Sequence, residues 1–258
     1  MTSRCVQLVL QYDGARFSGW QRQPDERTVQ GVLEEALERL CQTHIPVLGA
    51  GRTDAGVHAL GQAAGVRVGE KWTPTALRRA MNATIPDDVW IKDAFSMRDD
   101  FHARYSAVSR SYRYIIGTND EANSPFRKNR ELPFAHHLDI DSLRHSASEL
   151  IGDHCFRAFA VKGTAPESDD HHCTVLSAEW IERDGGLSFA IRANRFLHHM
   201  VRFLVGTMLD IAAGRREGSI MGELLASGDN KGVSPPAPAH ALYLESVEYP
   251  SELYLAAT

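Results

Sequence analysis

The chain has 258 residues, a net charge of −5, and 43% hydrophobic against 24% charged residues. That length supports one large domain or two smaller ones with a real core. The balance is that of an ordinary folded protein and excludes a disordered one, while no apolar run approaches the ~20 residues of a membrane span or the layout of a signal peptide.

In chain order, CVQLVLQYDG alternates Val6, Leu8, Leu10 and Tyr12 against Gln7 and Gln11, which predicts a half-buried strand ending in a turn. TVQGVLEEALERLCQ carries Val29, Val32, Leu33, Ala36, Leu37 and Leu40 at helical spacing, with Thr28 as cap. HIPVLGAGRTDAGVHALGQAAGVRV reads as a short strand, a shaped loop and a second strand. Glycines 49, 51, 56 and 61 let that loop turn sharply and present one acid, Asp54, beside Arg52. TPTALRRAMNATIP is a helix opened by Thr73 and Pro74, and DVWIKDAFSM a further strand.

SYRYIIG is a strand with Arg110, Tyr112 and Tyr114 on one face. DIDSLRHSASELIG is a helix starting near Asp139 or Asp141. A polar connection, GTAPESDDHHC, leads into TVLSAEWIERDGGLSFAIRAN, a hairpin turning at Asp184-Gly185-Gly186. RFLHHMVRFLVGTMLDIAAG is a long helix ending at Gly214, and the Pro-rich NKGVSPPAPAHALYL feeds a last strand, LYLESVEY. The order of elements repeats, which predicts two related α+β subdomains, 1–105 carrying the Asp54 loop and 106–258 carrying the Tyr112 strand and the Arg202 helix.

Charge is unevenly placed. Of 28 basic residues 23 are arginine, whose planar fork suits phosphate and stacked bases. Arg104, Arg110 and Arg113 lie between His102 and Thr118 with no acid among them, and residues 192–216 hold five arginines against Asp210 alone. An acidic chain built this way can bind a polyanion through one face. On the long helix, Arg195, His199, Arg202, Gly206 and Asp210 fall within ~80° of one another. A polar stripe on an otherwise apolar helix must meet water, a partner charge or a site.

Other chemistries lack their signatures. GAGRTD has Asp54 where a dinucleotide loop needs its third glycine, and there is no phosphate-loop or serine-elbow motif. The four scattered cysteines form no CxxC pair, as in a reducing compartment. DDHHC has no second cluster at zinc spacing, so no metal is expected. A single Asp without a partner acid does not suit a two-carboxylate glycosidase. It suits nucleophilic or base chemistry at one carbon, with arginines on a phosphorylated substrate and an aromatic for an unstacked base.

GRTDAGVHA resembles the active-site signature of the tRNA pseudouridine synthase A family, which acts on the tRNA anticodon stem-loop. YDGARFSGWQRQPDERTVQGVLEEAL, DDFHARYSAVSRSYRYII, FLHHMVRFLVGTML and PAHALYLESVEYP resemble its other motifs in the same order. The resemblance implies isomerisation of uridine to pseudouridine at tRNA positions 38, 39 and 40, without cofactor or metal. It implies the pseudouridine synthase fold: two related subdomains with mainly antiparallel sheets flanked by helices and an active-site cleft between them. It assigns catalysis to Asp54, displacement of the base to Arg52, packing on the uracil to Tyr112, pairing with the aspartate to Arg202 and a pocket wall to Leu242. It further implies a homodimer; the scattered cysteines add the expectation of a cytoplasmic protein, and a first strand close to the amino terminus that of the compact bacterial type. Ala241 departs from the glycine usual in the family's last motif. The competing readings are a non-catalytic tRNA-binding protein on the same scaffold, for which Asp54 is dispensable, and an enzyme on a small phosphorylated nucleotide.

Overall fold

The computed structural model describes residues 3–164, 168 and 170–256. In chain order the strands and helices are β1 (Ser3–Tyr12), α1 (Val29–Cys41), β2 (Leu48–Gly49), β3 (His58–Gly69), α2 (Pro74–Asn82), β4 (Val89–Met97), β5 (Ser109–Gly117), β6 (Leu132–Pro133) and α3 (Ile140–Ser148). They continue with β7 (Gly152–Cys155), β8 (His172–Arg183), β9 (Gly186–Ala193), α4 (Met200–Ala212), α5 (Ile220–Ser227) and β10 (Leu242–Glu248). The chain groups into two compact units, Met1–Arg110 with Tyr243–Thr258, and Ser111–Leu242. The sequence boundary after residue 105 kept everything beyond it together. The structure instead returns the last strand to the first unit, because β10 pairs with β3 through Tyr243 and Leu244.

In the first unit the strands run β4-β1-β3-β10, with β2 also on β3. β1 pairs antiparallel with β3 from Ser3 opposite Gly69 to Tyr12 opposite Ala59, and antiparallel with β4 on its other edge. Period two sends Val6, Leu8 and Leu10 to one buried face, and Leu33, Leu37, Leu77 and Met81 of the two helices are buried as well. The opposite face carries a second core of Cys5, Ala50, Ala63, Met97, Phe101, Ala103 and Tyr249. Both helices begin as their sequences predict. The Thr28 and Thr73 side chains accept from the Gly31 and Ala76 amides, satisfying donors that a helix start leaves open.

In the second unit the strands run β5-β9-β8-β7, with β6 parallel to β5. β8 and β9 form the expected hairpin, turning at Asp184 and at Gly185, whose φ is 72°. α3 starts after Asp139, whose carboxylate caps it, and packs on α4 and β8. Trp180 of β8 donates its indole N–H to the sulfur of Met208 on α4 at 3.4 Å. Part of the polar connection before β8, residues 165–167 and 169, lies outside the described residues. Beyond it His172 pairs with Asp153 of β7 at 2.6 Å.

The long helix is shorter than its periodicity predicts. Residues 195–199 are not helical, and His199, with φ 62°, stands in the left-handed region immediately before Met200. Arg195 and His199 therefore drop out of the polar stripe. His198 and His199 are not helical neighbours ~100° apart; their rings meet at 4.2 Å in the turn before α4. Within α4 the stripe survives as Arg202, Gly206 and Asp210, which with Phe203 are the partly exposed positions.

Candidate active site

The Asp54 loop is held by the segment that follows β1. Trp20 N–H donates to the Thr53 carbonyl at 3.0 Å, and the Tyr12 and Thr53 hydroxyls share a bond of 2.8 Å. Burial pushes the Tyr12 phenol up to about 12, against a smaller opposing effect of that bond, so it stays a neutral partner. Asp54 itself closes a turn, its carbonyl accepting from Val57 N–H at 3.1 Å, and Gly56 takes a φ of 81° that residues with a Cβ rarely adopt. Behind the turn, Gly14 N–H donates to Nδ1 of buried His58 at 3.1 Å, and the His58 ring stacks on Tyr243 of β10 at 4.9 Å. A side chain at position 14 is excluded: its Cβ would stand 2.0 Å from the Val57 carbonyl oxygen.

The near end of the loop is fixed as firmly. Gln62 donates from its amide nitrogen to the Gly51 carbonyl at 2.9 Å, and Ala50 N–H to Ala63. Arg110 donates to the Ala50 carbonyl at 3.1 Å and to those of Ala107 and Arg104 at 3.2 and 2.6 Å. The guanidinium expected on one strand face with Tyr112 and Tyr114 thus ties backbone together beside the Asp54 loop. The outcome is a half-exposed Asp54 carboxylate and an exposed Arg52 on a backbone anchored from both sides.

The segment Asp13–Trp20 is itself pinned. Asp13 N–H donates to the Asp88 carbonyl, and the Arg27 guanidinium lies 4.0 Å over the Phe17 ring. The same guanidinium makes two bonds to the Asp88 carboxylate, at 2.8 and 2.9 Å. These bonds and the charge on Arg27 hold the buried Asp88 carboxyl below the usual carboxylate range.

In the second unit Tyr112 is buried on β5, its ring edge-on to Phe196 at 5.0 Å. Arg202 is anchored by the Pro-rich segment. Its Nε donates to the Ala237 carbonyl at 2.7 Å, and its own carbonyl accepts from Ala237 N–H at 2.9 Å. The next residue, Pro238, accepts from the Tyr114 hydroxyl at 3.0 Å, while burial pushes that phenol up against the pull of Arg202's charge. Gly206 lets this segment cross α4 closely: a Cβ there would lie 2.2 Å from the Pro235 carbonyl oxygen. Asp210 is taken by Arg215 and Arg216 at 3.1 and 3.8 Å. Of the stripe, Gly206 and Asp210 therefore serve packing and helix termination, leaving Arg202 as its candidate site residue. Leu242 is buried at the start of β10.

Sequence reasoning gave no role to Tyr12, Gly14, His58 or Arg110 in shaping the loop, nor to Ala237 in holding Arg202. The YDGARFSGW segment carried a usable signal in its two glycines among aromatics; the carbonyl of Ala237 carried none.

The chain matches the family described as tRNA pseudouridine synthase over residues 8–106 and 146–250. It is 42% identical to a tRNA pseudouridine synthase A of Chloroflexus aurantiacus over 253 residues, covering 97% of this chain and 90% of that one. Proteins of the same description from Bacillus velezensis and Exiguobacterium sibiricum are 39% and 36% identical, each over at least 95% of both chains. Among solved structures, an archaeal box H/ACA sRNP Nop10–Cbf5 complex is a distant likeness, with a TM-score of 0.33 and 12% identity over 80% of this chain and 53% of that one.

Proposed function

The chain belongs to the tRNA pseudouridine synthase family, and from that premise we propose that it isomerises uridine to pseudouridine at positions 38, 39 and 40 of the tRNA anticodon stem-loop. The observation that carries the reading is the Asp54 carboxylate, half-exposed at a turn whose backbone is fixed on either side. A reacting group held this way loses little entropy in reaching its target.

The reaction breaks the glycosidic bond, rotates the uracil and joins carbon 5 to the ribose; the proton on carbon 5 leaves and nitrogen 1 gains one. No atoms or electrons enter from outside, so the isomerisation consumes no co-substrate, and the reading, following the family resemblance, includes no cofactor and no metal. Asp54 is the catalytic residue, and its charge suits attack on the sugar, attack on the ring or removal of a ribose proton. Arg52 displaces the target base from its stack, which an enzyme acting on a paired base must do. Tyr112 holds the detached uracil by its ring, Arg202 brings a guanidinium to the reacting groups, and Leu242 gives the pocket an apolar wall. Exclusion of water matters, because hydrolysis at the detached stage leaves an abasic site. The reading includes a cytoplasmic homodimer, in which basic patches of two chains act on one tRNA. Among the described residues no helix is long and apolar enough to cross a membrane.

The test is tritium release from carbon 5 of uracil-labelled tRNA, comparing the parent with Asp54→Asn. Release by the parent and none by the variant, with tRNA affinity retained, is the expected result. tRNA binding without release by the parent sinks the reading in favour of a non-catalytic binder, and turnover of free uridine monophosphate moves the substrate to small nucleotides. Mapping pseudouridine in the product checks the three positions.

A further inference from the structure

Among the large side chains of the first unit, Tyr105 stands out: it is 77% exposed. It is nonetheless rigidly mounted. His102 Nδ1 accepts from the backbone N–H groups of both Arg104 and Tyr105, at 3.1 and 3.3 Å. His102 N–H donates to the Ser106 hydroxyl at 3.0 Å, and Ser106 N–H returns to the His102 carbonyl at 2.9 Å. The Tyr105 ring rests on the His102 ring at 4.4 Å, and the Arg104 guanidinium lies 5.6 Å from the ring centroid. Nearby Arg67 and Arg98 are committed to Asp99 and Asp100, whereas the exposed Arg104 is laid against an aromatic.

This turn is tied to the Asp54 loop. Arg110 donates from one nitrogen to both the Arg104 and the Ala50 carbonyls, and Tyr249 donates its hydroxyl to the Ala103 carbonyl at 2.6 Å. An exposed ring on a braced turn, backed by an arginine, is what stacking on an unpaired base and contact with its phosphate require. We propose that the turn His102–Ser106 is a second RNA contact, in which Tyr105 stacks on an unpaired base flanking the target uridine and Arg104 meets the adjoining phosphate, with Arg110 fixing both relative to the Asp54 loop. The proposal rests on the reading of the substrate as RNA and deepens it.

The test compares the parent with Tyr105→Ala, Tyr105→Phe and Arg104→Gln. Because Tyr105 is mostly exposed, its loss leaves the fold intact, which a thermal melt checks. Tyr105→Ala should raise KM and Kd for tRNA about five- to 150-fold, the range expected when one stacked base loses its aromatic partner. Tyr105→Phe should behave as the parent. Arg104→Gln should flatten the dependence of log Kd on log salt by about 0.7–0.9, the loss of one phosphate contact. Parent-like affinity in Tyr105→Ala, or an unchanged salt slope in Arg104→Gln, overturns the proposal. A change in sedimentation without a change in tRNA affinity overturns it too and assigns the ring to self-association. If the parent itself releases no tritium, the isomerase reading fails, and the Kd values still decide the Tyr105 contact.

Discussion

Gly14→Ala tests whether the Asp54 turn is held from behind. The new Cβ would lie 2.0 Å from the Val57 carbonyl oxygen and 2.5 Å from its carbon, where ordinary contact begins at 3.4 Å. Relief therefore requires a shift of 3.4 − 2.0 = 1.4 Å. The short 3-10 turn at Gly14–Arg16 resists moving, because Asp13 bonds to Asp88 and Gly14 to His58. Much of the shift passes to Val57 and through its N–H to Asp54. Forcing a methyl into such a contact costs about 1–3 kcal/mol of stability. A displacement of about 1 Å at a reacting group costs about a hundredfold in rate. Urea denaturation gives the first quantity and single-turnover tritium release the second, with tRNA Kd expected to hold. Gly69→Ala, where a Cβ meets nothing within 4 Å, is the control. A folded Gly14→Ala variant with the parent's single-turnover rate refutes the reasoning.

Gly206→Ala should act likewise on the second unit. Its Cβ would press on the Pro235 carbonyl at 2.2 Å, so stability should fall by about 1–3 kcal/mol and single-turnover rate with it as the bonds between Ala237 and Arg202 loosen; a parent-like melt and rate would contradict this. Asp88→Asn should lower stability at neutral pH by about 2 kcal/mol, a doubly hydrogen-bonded charge pair with one partly exposed member. Because the folded pKa of Asp88 is lowered from 3.8, its contribution is complete above that value and lost as pH falls through the folded one. The gap in urea midpoint between parent and variant should therefore narrow on acidification; a gap that stays constant down to pH ~2 would count against the pair.

The elements legible in the sequence are those that a local rule decides. Thr28 and Thr73 cap their helices because the cap is satisfied within three residues, and Asp184-Gly185 turns a hairpin for equally local reasons. Apolar spacing continues through RFLHH and predicts an earlier start for α4, whereas the left-handed backbone of His199 leaves no mark on periodicity. The membership of β10 was hidden because pairing to β3 is a choice among distant partners. The Gly-rich loop points to Asp54 and Arg52 as candidate site residues. Period two places Arg110 on a strand face with Tyr112 and Tyr114, but its bonds to the carbonyls of Ala50, Arg104 and Ala107 leave no mark on any side-chain pattern. Gly51 stood in the same glycine series, but nothing lies within 4 Å of where its Cβ would be, and the structure gives no steric reason for it.

The parallel pairing of Tyr243 with His58 and Leu244 with Ala59 has a consequence in time. Leu244 follows Ala59 by 244 − 59 = 185 positions, which a ribosome adding about 5–20 residues per second covers in roughly 10–40 s. Throughout that interval the stretch of β3 leaving the Asp54 loop lacks its parallel neighbour, and the His58 ring lacks the Tyr243 ring on which it stacks. Synthesis thus withholds one support of the Asp54 loop until the far end of the chain emerges, and a nascent chain long enough to display Asp54 does not yet hold it as the finished protein does.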